Sequence, residues 1–409
     1  MVVAGIIAEY NPFHKGHQYH IAQTRKITGA DYIITIMSPD FVQRGAPAMM
    51  DKHTRTQMAL LSGADLVIEL PLAYACSSAE LFAMGSVQLL SRLGVVDYLS
   101  FGSESGNIEA FIKLGHALHN ESALFQQTLK TELKKGLSFP VARQNALKME
   151  LPDYIDILGG PNNILGIEYC RALITEQSNI KPITIKRTSD NYHDTNLSDG
   201  YSSASAIRST LSANDSLSAS IAIDEHLSCV KDTMPDEAFE ILKNNWLLNG
   251  PLCEDDFSAQ LRYKLLSADA TTLSTYLDVS KSLANRIIKS LNEFESFSQF
   301  AELLKSKDLT RTRINRALLH ILLNIKQNVF DVAAVKPHGE QTNFIRVLGL
   351  RKSAQPLLHE IKKSPSCTLI TKPAEMNYDA FAANLYESVL SAKYKQPFIH
   401  EYSKPVVII

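Results

Sequence analysis

The amino-acid sequence predicts an α/β protein, with a doubly wound parallel sheet over the first half of the chain and an α-rich, basic domain after it. Three observations predict this. Apolar runs bounded by turn signals recur about every thirty residues, the length of a strand-helix unit. Helical patterns fill the gaps between them. Excess positive charge is confined to one stretch of the second half.

The apolar runs are Val2 to Ala8, Tyr32 to Met37, Asp65 to Leu70 and Tyr98 to Phe101. Their near-continuous apolar character is that of parallel strands buried on both faces. Helical patterns cover His17 to Thr28, Asp51 to Ser62 and Ser78 to Leu93, followed by Gly29, Gly63 and Gly94 where helix C-termini favour glycine. In such sheets ligands bind outside the carboxyl ends of the strands. That rule selects residues 9 to 17, 38 to 46, 71 to 78 and 102 to 106 before any motif is consulted. From Asn107 to about Pro182 the pattern is mostly helical, and a short strand is expected over Ile183 to Ile185, then a polar loop from Arg187 to Gly200. The Ser-rich stretch Ser202 to Ser220 contains a helix start at Ser205 to Leu211 and otherwise resembles a linker. Beyond it, Pro235, Asp236 and Glu237 open an amphipathic helix through Trp246, and helical patterns continue to about Leu323. Short strands are expected near Thr368 to Thr371 and Pro405 to Ile409. A domain boundary is placed at residue 215, dividing 1–215 from 216–409.

Composition narrows the class. The 409 residues are 45% hydrophobic and 21% charged, which excludes wholesale disorder. With 41 Lys and Arg against 43 Asp and Glu the net charge is -2, so a polyanion would have to be held by a local patch. Such a patch exists: Lys281 to Lys352 carries 13 basic and 6 acidic residues, while the remainder of the chain is acidic. The five cysteines are odd in number and never spaced Cys-x-x-Cys, which disfavours a disulfide framework or zinc site and fits a reducing compartment. No apolar stretch reaches the roughly 18 residues of a membrane span, and the opening residues lack a basic leader pattern, so a cytoplasmic protein with no membrane partner is expected.

The first strand runs into Glu9-Tyr10-Asn11-Pro12-Phe13-His14-Lys15-Gly16-His17. Helix N-terminal amides attract anions, and two histidines three residues apart could donate to phosphate oxygens there. Surface histidines or zinc ligands are the alternatives for a bare His-x-x-His. The position between the first strand and first helix of a doubly wound sheet favours the nucleotide reading. No nearby Cys or third His completes a metal site, so no metal-binding side chains are expected. A second cluster, Ser202-Ser203-Ala204-Ser205-Ala206-Ile207-Arg208, places hydroxyls at a helix start and a cation one turn later, fit for phosphates; Ser205 alone would equally be an N-cap.

His14-Lys15-Gly16-His17 resembles the HxGH signature of the nucleotidyltransferase superfamily, and Ser202 to Arg208 is similar to that superfamily's second signature. No Lys-Met-Ser-Lys-Ser run is present, which speaks against a synthetase of the usual class I type. More of the chain resembles one family, the bacterial tRNA(Met) cytidine acetate ligases. The matching blocks are Gly5 to His17, Asp40-Phe41-Val42-Gln43-Arg44-Gly45, Glu69-Leu70-Pro71, Phe101-Gly102-Ser103-Glu104, Pro161 to Gly166, Lys186-Arg187 and Thr310-Arg311-Thr312-Arg313-Ile314. Lys15, Pro39 and Ala46 depart from that family's pattern. The resemblance implies a Rossmann-like nucleotidyltransferase domain over 1–215, with a tRNA-binding domain over 216–409. It implies activation of acetate by ATP to acetyl adenylate, and transfer of the acetyl group to the 4-amino group of the wobble cytidine of elongator tRNA(Met), with no role for DNA.

The resemblance further implies ATP along Ile7, Glu9, Asn11, Phe13, His14, Gly16, His17 and His20, with Gly102, Asn162, Arg187, Ser205 and Arg208. Mg²⁺ is expected to arrive as Mg-ATP. His14 and His17 would stabilise charge on the α-phosphate, with Lys15 as a helper. Asp40, Gln43 and Arg44 would hold acetate or cytosine, although Arg44 fits a plain surface cation equally well. Glu104 is the candidate general base, and a helix-capping carboxylate fits it equally. Arg311, Arg313, Arg316, Arg346, Arg351 and Lys352 are the expected tRNA contacts. Two alternatives remain. A small-molecule adenylyltransferase would need no basic domain, and a non-catalytic RNA-binding protein would have lost phosphate-site residues that are all present here.

Overall fold

The computed structural model describes residues 1–187, 203–212, 220–306, 308–330, 344–373 and 378–409. The strands are β1 (Val3–Ala8), β2 (Tyr32–Met37), β3 (Phe41–Val42), β4 (Ala46–Pro47), β5 (Leu66–Glu69), β6 (Tyr98–Ser103), β7 (Lys181–Lys186), β8 (Phe344–Leu350), β9 (Thr368–Ile370) and β10 (Val407–Ile408). The first helices are α1 (Lys15–Thr28), α2 (Lys52–Leu61), α3 (Leu72–Ala75), α4 (Ala79–Leu93), α5 (Ile108–His119), α6 (Ala123–Lys134), α7 (Phe139–Glu150) and α8 (Pro161–Thr175). Then come α9 (Ala204–Ser212), α10 (Ser220–Lys231), α11 (Asp236–Asn249), α12 (Ser258–Leu266), α13 (Ala270–Leu273), α14 (Lys281–Ser290), α15 (Phe297–Leu303), α16 (Arg311–Leu322), α17 (Gln355–Ile361) and α18 (Tyr378–Tyr394). Among the described residues no helix is long and apolar enough to cross a membrane.

One sheet in the order β10-β8-β5-β2-β1-β6-β7 organises the molecule, with β9 also on β8. The pairs of β1 with β2 and β6, of β2 with β5 and of β6 with β7 are parallel. Strand order reverses about β1, which puts the switch point of the sheet at the carboxyl ends of β1 and β6. Successive side chains on β2 take opposite faces. Ile34 and Ile36 enter a core with α4, α5, α8 and α17, whereas Ile33 and Met37 enter one with α1, α2, α9 and α11. The predicted doubly wound sheet is thus present, and its first four strands follow the sequence reading.

The boundary at residue 215 needs correction. Strands β8, β9 and β10 lie within 216–409, yet β8 pairs antiparallel with β5 and carries β9 and β10 at the sheet edge. The chain leaves the sheet after β7, builds a helical body, and returns. That body, from α12 to α16 with α18, has its own core of Leu261, Leu283, Phe297, Phe300, Leu318 and Tyr386, into which Phe41, Leu72 and Cys76 of the first half insert. Of the earlier expectations, the polar loop over 188–200, Ser202 of the second motif, residues 213–219, and Lys307, Asp331, Lys336 and Glu340 of the charge pattern lie outside the described residues.

Candidate active site

The carboxyl ends of β1, β6 and β7, the N-termini of α1, α8 and α9, and the β3–β4 hairpin surround a cavity of about 480 Å³. Ile7, Glu9, Asn11, His14, Gly16, His17, His20, Gln43, Arg44, Gly102, Asn162, Arg187, Ser205 and Arg208, all expected from the sequence, line it. Of the sequence-predicted nucleotide and substrate groups, Phe13 and Asp40 do not, and neither do Lys15 and Glu104 of the catalytic set.

The histidines are held by the start of α1. His14 is its N-cap, with Nδ1 accepting from the Gly16 amide at 3.1 Å, and the His17 Nδ1 accepts from the His14 amide at 3.3 Å. Each Nδ1 therefore carries the lone pair, so in the neutral ring the proton sits on Nε2. The rings stack with centroids 3.7 Å apart. Gly16 is required by this packing, because a Cβ there would lie 2.8 Å from His14 Cε1. Phe13 is buried in the core and lies beside His17 with ring centroids 5.5 Å apart. It braces the histidine from the protein side, which corrects its assignment to the nucleotide. Tyr10, buried with φ of 49°, occupies the left-handed region at the strand end, a local strain of the kind found at functional sites.

Burial, then the charges of Arg187 and Arg208, pushes the His14 imidazolium pKa down to about 3. Burial, then Arg187, takes His20 down to about 4, and burial, His14 and Arg187 lower His17 as well. All three rings are therefore neutral at pH 7, and the cavity's positive charge comes from the guanidinium groups of Arg44, Arg187 and Arg208 and the ammonium of Lys186. Arg208 donates from Nη2 to Ser205 Oγ at 3.2 Å and from Nη1 to the Asn11 carbonyl. The α9 cap is Ser203, whose Oγ accepts from the Ala206 amide at 3.1 Å, so Ser205 lies inside the helix and faces the cavity. The Arg187 stem lies over Gly102, in van der Waals contact at 3.5 Å from where a Cβ would be. His20 Nε2 lies 3.0 Å from Ser100 Oγ, which bonds Thr24 Oγ1 at 2.7 Å, fixing the third ring to β6. Phe82, Phe101, Leu165, Tyr169 and Ile185 give the cavity an apolar wall. Neutral donors, the cations of Arg44, Lys186, Arg187 and Arg208, and an apolar wall together suit a nucleoside polyphosphate.

Glu104 lies elsewhere. Its carboxylate accepts from the Asn162 amide at 3.3 Å, the Asn162 side chain at 2.7 Å and the Asn163 amide at 2.8 Å, so it caps α8 and does not line the cavity. The capping alternative is the one that the geometry supports. Lys15, the first residue of α1, opens instead onto a second groove.

Asp40 is also displaced from its expected role. It is buried, its Oδ1 accepts from the Lys52 amide at 2.8 Å, and its Oδ2 lies 3.7 Å from Lys52 Nζ. Lys52 Nζ contacts Glu69 at 2.6 Å and Glu401 at 2.8 Å, and Arg346 closes the cluster on Glu69 at 2.8 Å and Glu401 at 2.6 Å. Burial alone would lower the Lys52 pKa, but Glu69, Asp40 and Glu401 outweigh it and hold the ammonium charged. Arg346 is thus part of a buried ion network and cannot reach a nucleic acid.

The remaining expected tRNA contacts divide. Arg351 donates to the carbonyls of Leu60 and Leu61 at the end of α2. Arg311 pairs with Glu302 at 3.0 Å and Asn315 at 2.9 Å, and Arg316 with Asp278 at 3.1 Å. Arg313 and Lys352 are exposed.

Several lining or supporting groups escaped the sequence reading. Arg55, fully buried, donates to the carbonyls of Met50, Glu9, Ser38 and Pro39, so one guanidinium ties the ends of β1 and β2 to the start of α2. Thr312 at the start of α16 lines the cavity, as do Tyr19 and Tyr169. Gly45, with φ of 79°, lets the β3–β4 turn press on α16, since a Cβ would lie 2.4 Å from the Arg316 amide nitrogen. The helical body is in this way joined to the hairpin that carries Gln43 and Arg44. For Thr312 a signal existed, because it stands inside the Thr310 to Ile314 block.

Comparison with known proteins agrees with this geometry. The family model "HIGH Nucleotidyl Transferase" matches residues 1–401. A tRNA(Met) cytidine acetate ligase of Clostridium perfringens is 39% identical, with 94% of this chain and 95% of that one covered. One of Clostridium tetani is 38% identical over the whole of both chains. Among solved structures, Thermotoga maritima TmcAL without ligand superposes with a TM-score of 0.90 at 30% identity, and its form with alpha-thio ATP at 0.87 and 29%, each covering all of both chains. The chain belongs to the tRNA(Met) cytidine acetate ligase family of HIGH nucleotidyltransferases.

Proposed function

We propose that this chain activates acetate with ATP to acetyl adenylate and pyrophosphate, then transfers the acetyl group to the 4-amino group of the wobble cytidine in elongator tRNA(Met). The observation that carries the reading is the pair of neutral histidines, each with Nδ1 occupied by a backbone amide and Nε2–H left for the cavity, between Arg187 and Arg208. An exocyclic cytosine amine is a poor nucleophile and acetate a poor electrophile, so the carboxylate needs a better leaving group first. An acetate oxygen attacks the α-phosphorus, and the bond to the leaving pyrophosphate breaks. Negative charge grows on the α-phosphate oxygens, where His14 and His17 donate. Each such donor is worth roughly 2.7 to 4 kcal/mol in the transition state.

Arg187, Arg208 and Ser205 hold the remaining phosphates, and the apolar wall takes the adenine. Mg²⁺ arrives as Mg-ATP, held by the nucleotide's phosphates. Gln43 and Arg44 lie at the β3–β4 turn and hold acetate, then the base. In the second step the amine attacks the acetyl carbonyl and AMP departs. Glu9, the one carboxylate lining the cavity among the described residues, takes the amine's proton. Its Oε1 accepts from the Gln43 amide at 3.0 Å, which fixes its direction.

Acetate-dependent exchange of labelled pyrophosphate into ATP, without tRNA, tests the first step. The exchange is expected with the native chain and lost by at least a hundredfold in His17→Ala; absence of exchange in the folded native chain sinks the reading.

A further inference from the structure

On the outer side of α1 a groove of about 730 Å³ runs along the helix, with Lys15, Gln18, Tyr19, Arg25 and Lys26 on one wall and Ser62 and Gly63 on the other. It adjoins the catalytic cavity at Tyr19, which lines both. Among the described residues no acidic side chain lines it. Lys15 and Lys26 are eleven residues apart, close to three helical turns, so both amines stand on one side of α1 about 16 Å apart along its axis. Arg25 is already engaged, with Asp65 at 2.6 Å and the carbonyls of Ala30, Asp31 and Gly63, and serves to fix the groove's far wall. Among the described residues neither Lys15 nor Lys26 forms an ion pair.

We propose that this groove carries the RNA strand leading to the cavity, with phosphates on Lys15 and Lys26. The proposal rests on the function given above. Cations spaced along a groove, with an aromatic ring at one end, form the arrangement that holds single-stranded nucleic acid, where backbone charge meets lysine and a base meets the ring. A cytidine whose 4-amino group is to react has to leave its stack, and its flanking backbone must then exit through the cavity mouth. Tyr19 stands between the cavity and the groove. The competing surface at the start of α16 is less available, since Arg311 and Arg316 are occupied by Glu302 and Asp278.

The test uses the full chain carrying Gln18→Glu and Lys26→Glu together, neither residue being part of the proposed chemistry. Binding of unmodified tRNA(Met) is titrated at several salt concentrations, and acetate-dependent pyrophosphate exchange without tRNA is followed alongside. Expected are roughly tenfold weaker tRNA binding at low salt, a log-log salt slope shallower by about 0.7 to 0.9 for the phosphate lost at Lys26, and exchange within twofold of the native rate. In the native chain, tRNA should also shield the amines of Lys15 and Lys26 from an amine-reactive label. Unchanged affinity and slope in a variant that still exchanges, or undiminished labelling of both lysines under saturating tRNA, overturns the groove assignment alone. A native chain whose lysines are shielded but which shows no exchange overturns the function and leaves the groove standing.

Discussion

Replacing Gly16 by alanine separates folding from chemistry. A Cβ at this position would lie 2.8 Å from Cε1 and 3.0 Å from Nδ1 of the His14 ring, so the ring must move by several tenths of an ångström. The movement lengthens the 3.1 Å bond from the Gly16 amide, which is what directs the His14 proton to Nε2. Losing one well-aimed donor to the α-phosphate costs roughly 2.7 to 4 kcal/mol, or a hundredfold to a thousandfold in rate. Against this, alanine in a helix is favoured over glycine by roughly 0.5 to 1 kcal/mol, which offsets much of the lost amide bond. The expected Gly16→Ala protein therefore melts within a few degrees of native but exchanges pyrophosphate at least a hundredfold more slowly. A variant within twofold of native activity would refute the claim that His14 acts as an aimed donor, and one that fails to fold would refute the packing argument.

Glu9→Gln should slow acetyl transfer from preformed acetyl adenylate by roughly a hundredfold or more, beyond any effect on pyrophosphate exchange, since only transfer needs a base; equal loss in both steps would remove Glu9 from that role. Lys52→Met should destabilise by about 3 to 5 kcal/mol in urea unfolding, because Asp40 would remain buried without its cation and Glu69 and Glu401 would share Arg346 alone. Arg346→Ala is expected to lower stability similarly while leaving the salt dependence of tRNA binding intact, a contrast that checks its removal from the nucleic-acid set. His14 and His20 titrate near 3 and 4 when folded and near 6.5 when unfolded, so between those values the unfolded chain binds more protons and stability falls as pH drops below about 6.5. Chemical denaturation from pH 7.5 to 5 should show this loss, with a shallower slope in His20→Asn; an unaltered slope would contradict the buried neutral ring.

Local patterns carried the first strands and the nucleotide loop. Strands β1, β2, β5 and β6 are covered on both faces, so each is a continuous apolar run of strand length, and the glycines after α1 and α4 mark real helix ends with φ of 66° and 70°. The HxGH residues were legible because their function is local to one turn, where each Nδ1 accepts an amide within three residues. What escaped depends on partners distant in the chain. Strand β8 carries Arg346 in its middle, which interrupts its apolar run, and it pairs with β5 nearly 280 residues earlier. A similar separation made Arg346 and Arg351 look like available charges, since nothing near them in sequence indicates Glu69 or the Leu60 carbonyl, while Asp40 meets Lys52 only because the chain folds back across twelve residues. Glu104 and Asp40 both follow strands at the correct end of the sheet, yet one turns to cap α8 and the other to the amide of Lys52. Position at a strand end specifies a neighbourhood, and only packing decides which side chain faces the cavity.

The most direct test of the central claim is mass spectrometry of nucleosides from unmodified tRNA incubated with the protein, ATP and isotopically labelled acetate, with acetyl-CoA omitted. Labelled N4-acetylcytidine confined to elongator tRNA(Met), with AMP formed in equal amount, is the expected result. Absence of the label, from a folded protein that binds ATP, would contradict it and favour an adenylyltransferase acting on a small metabolite.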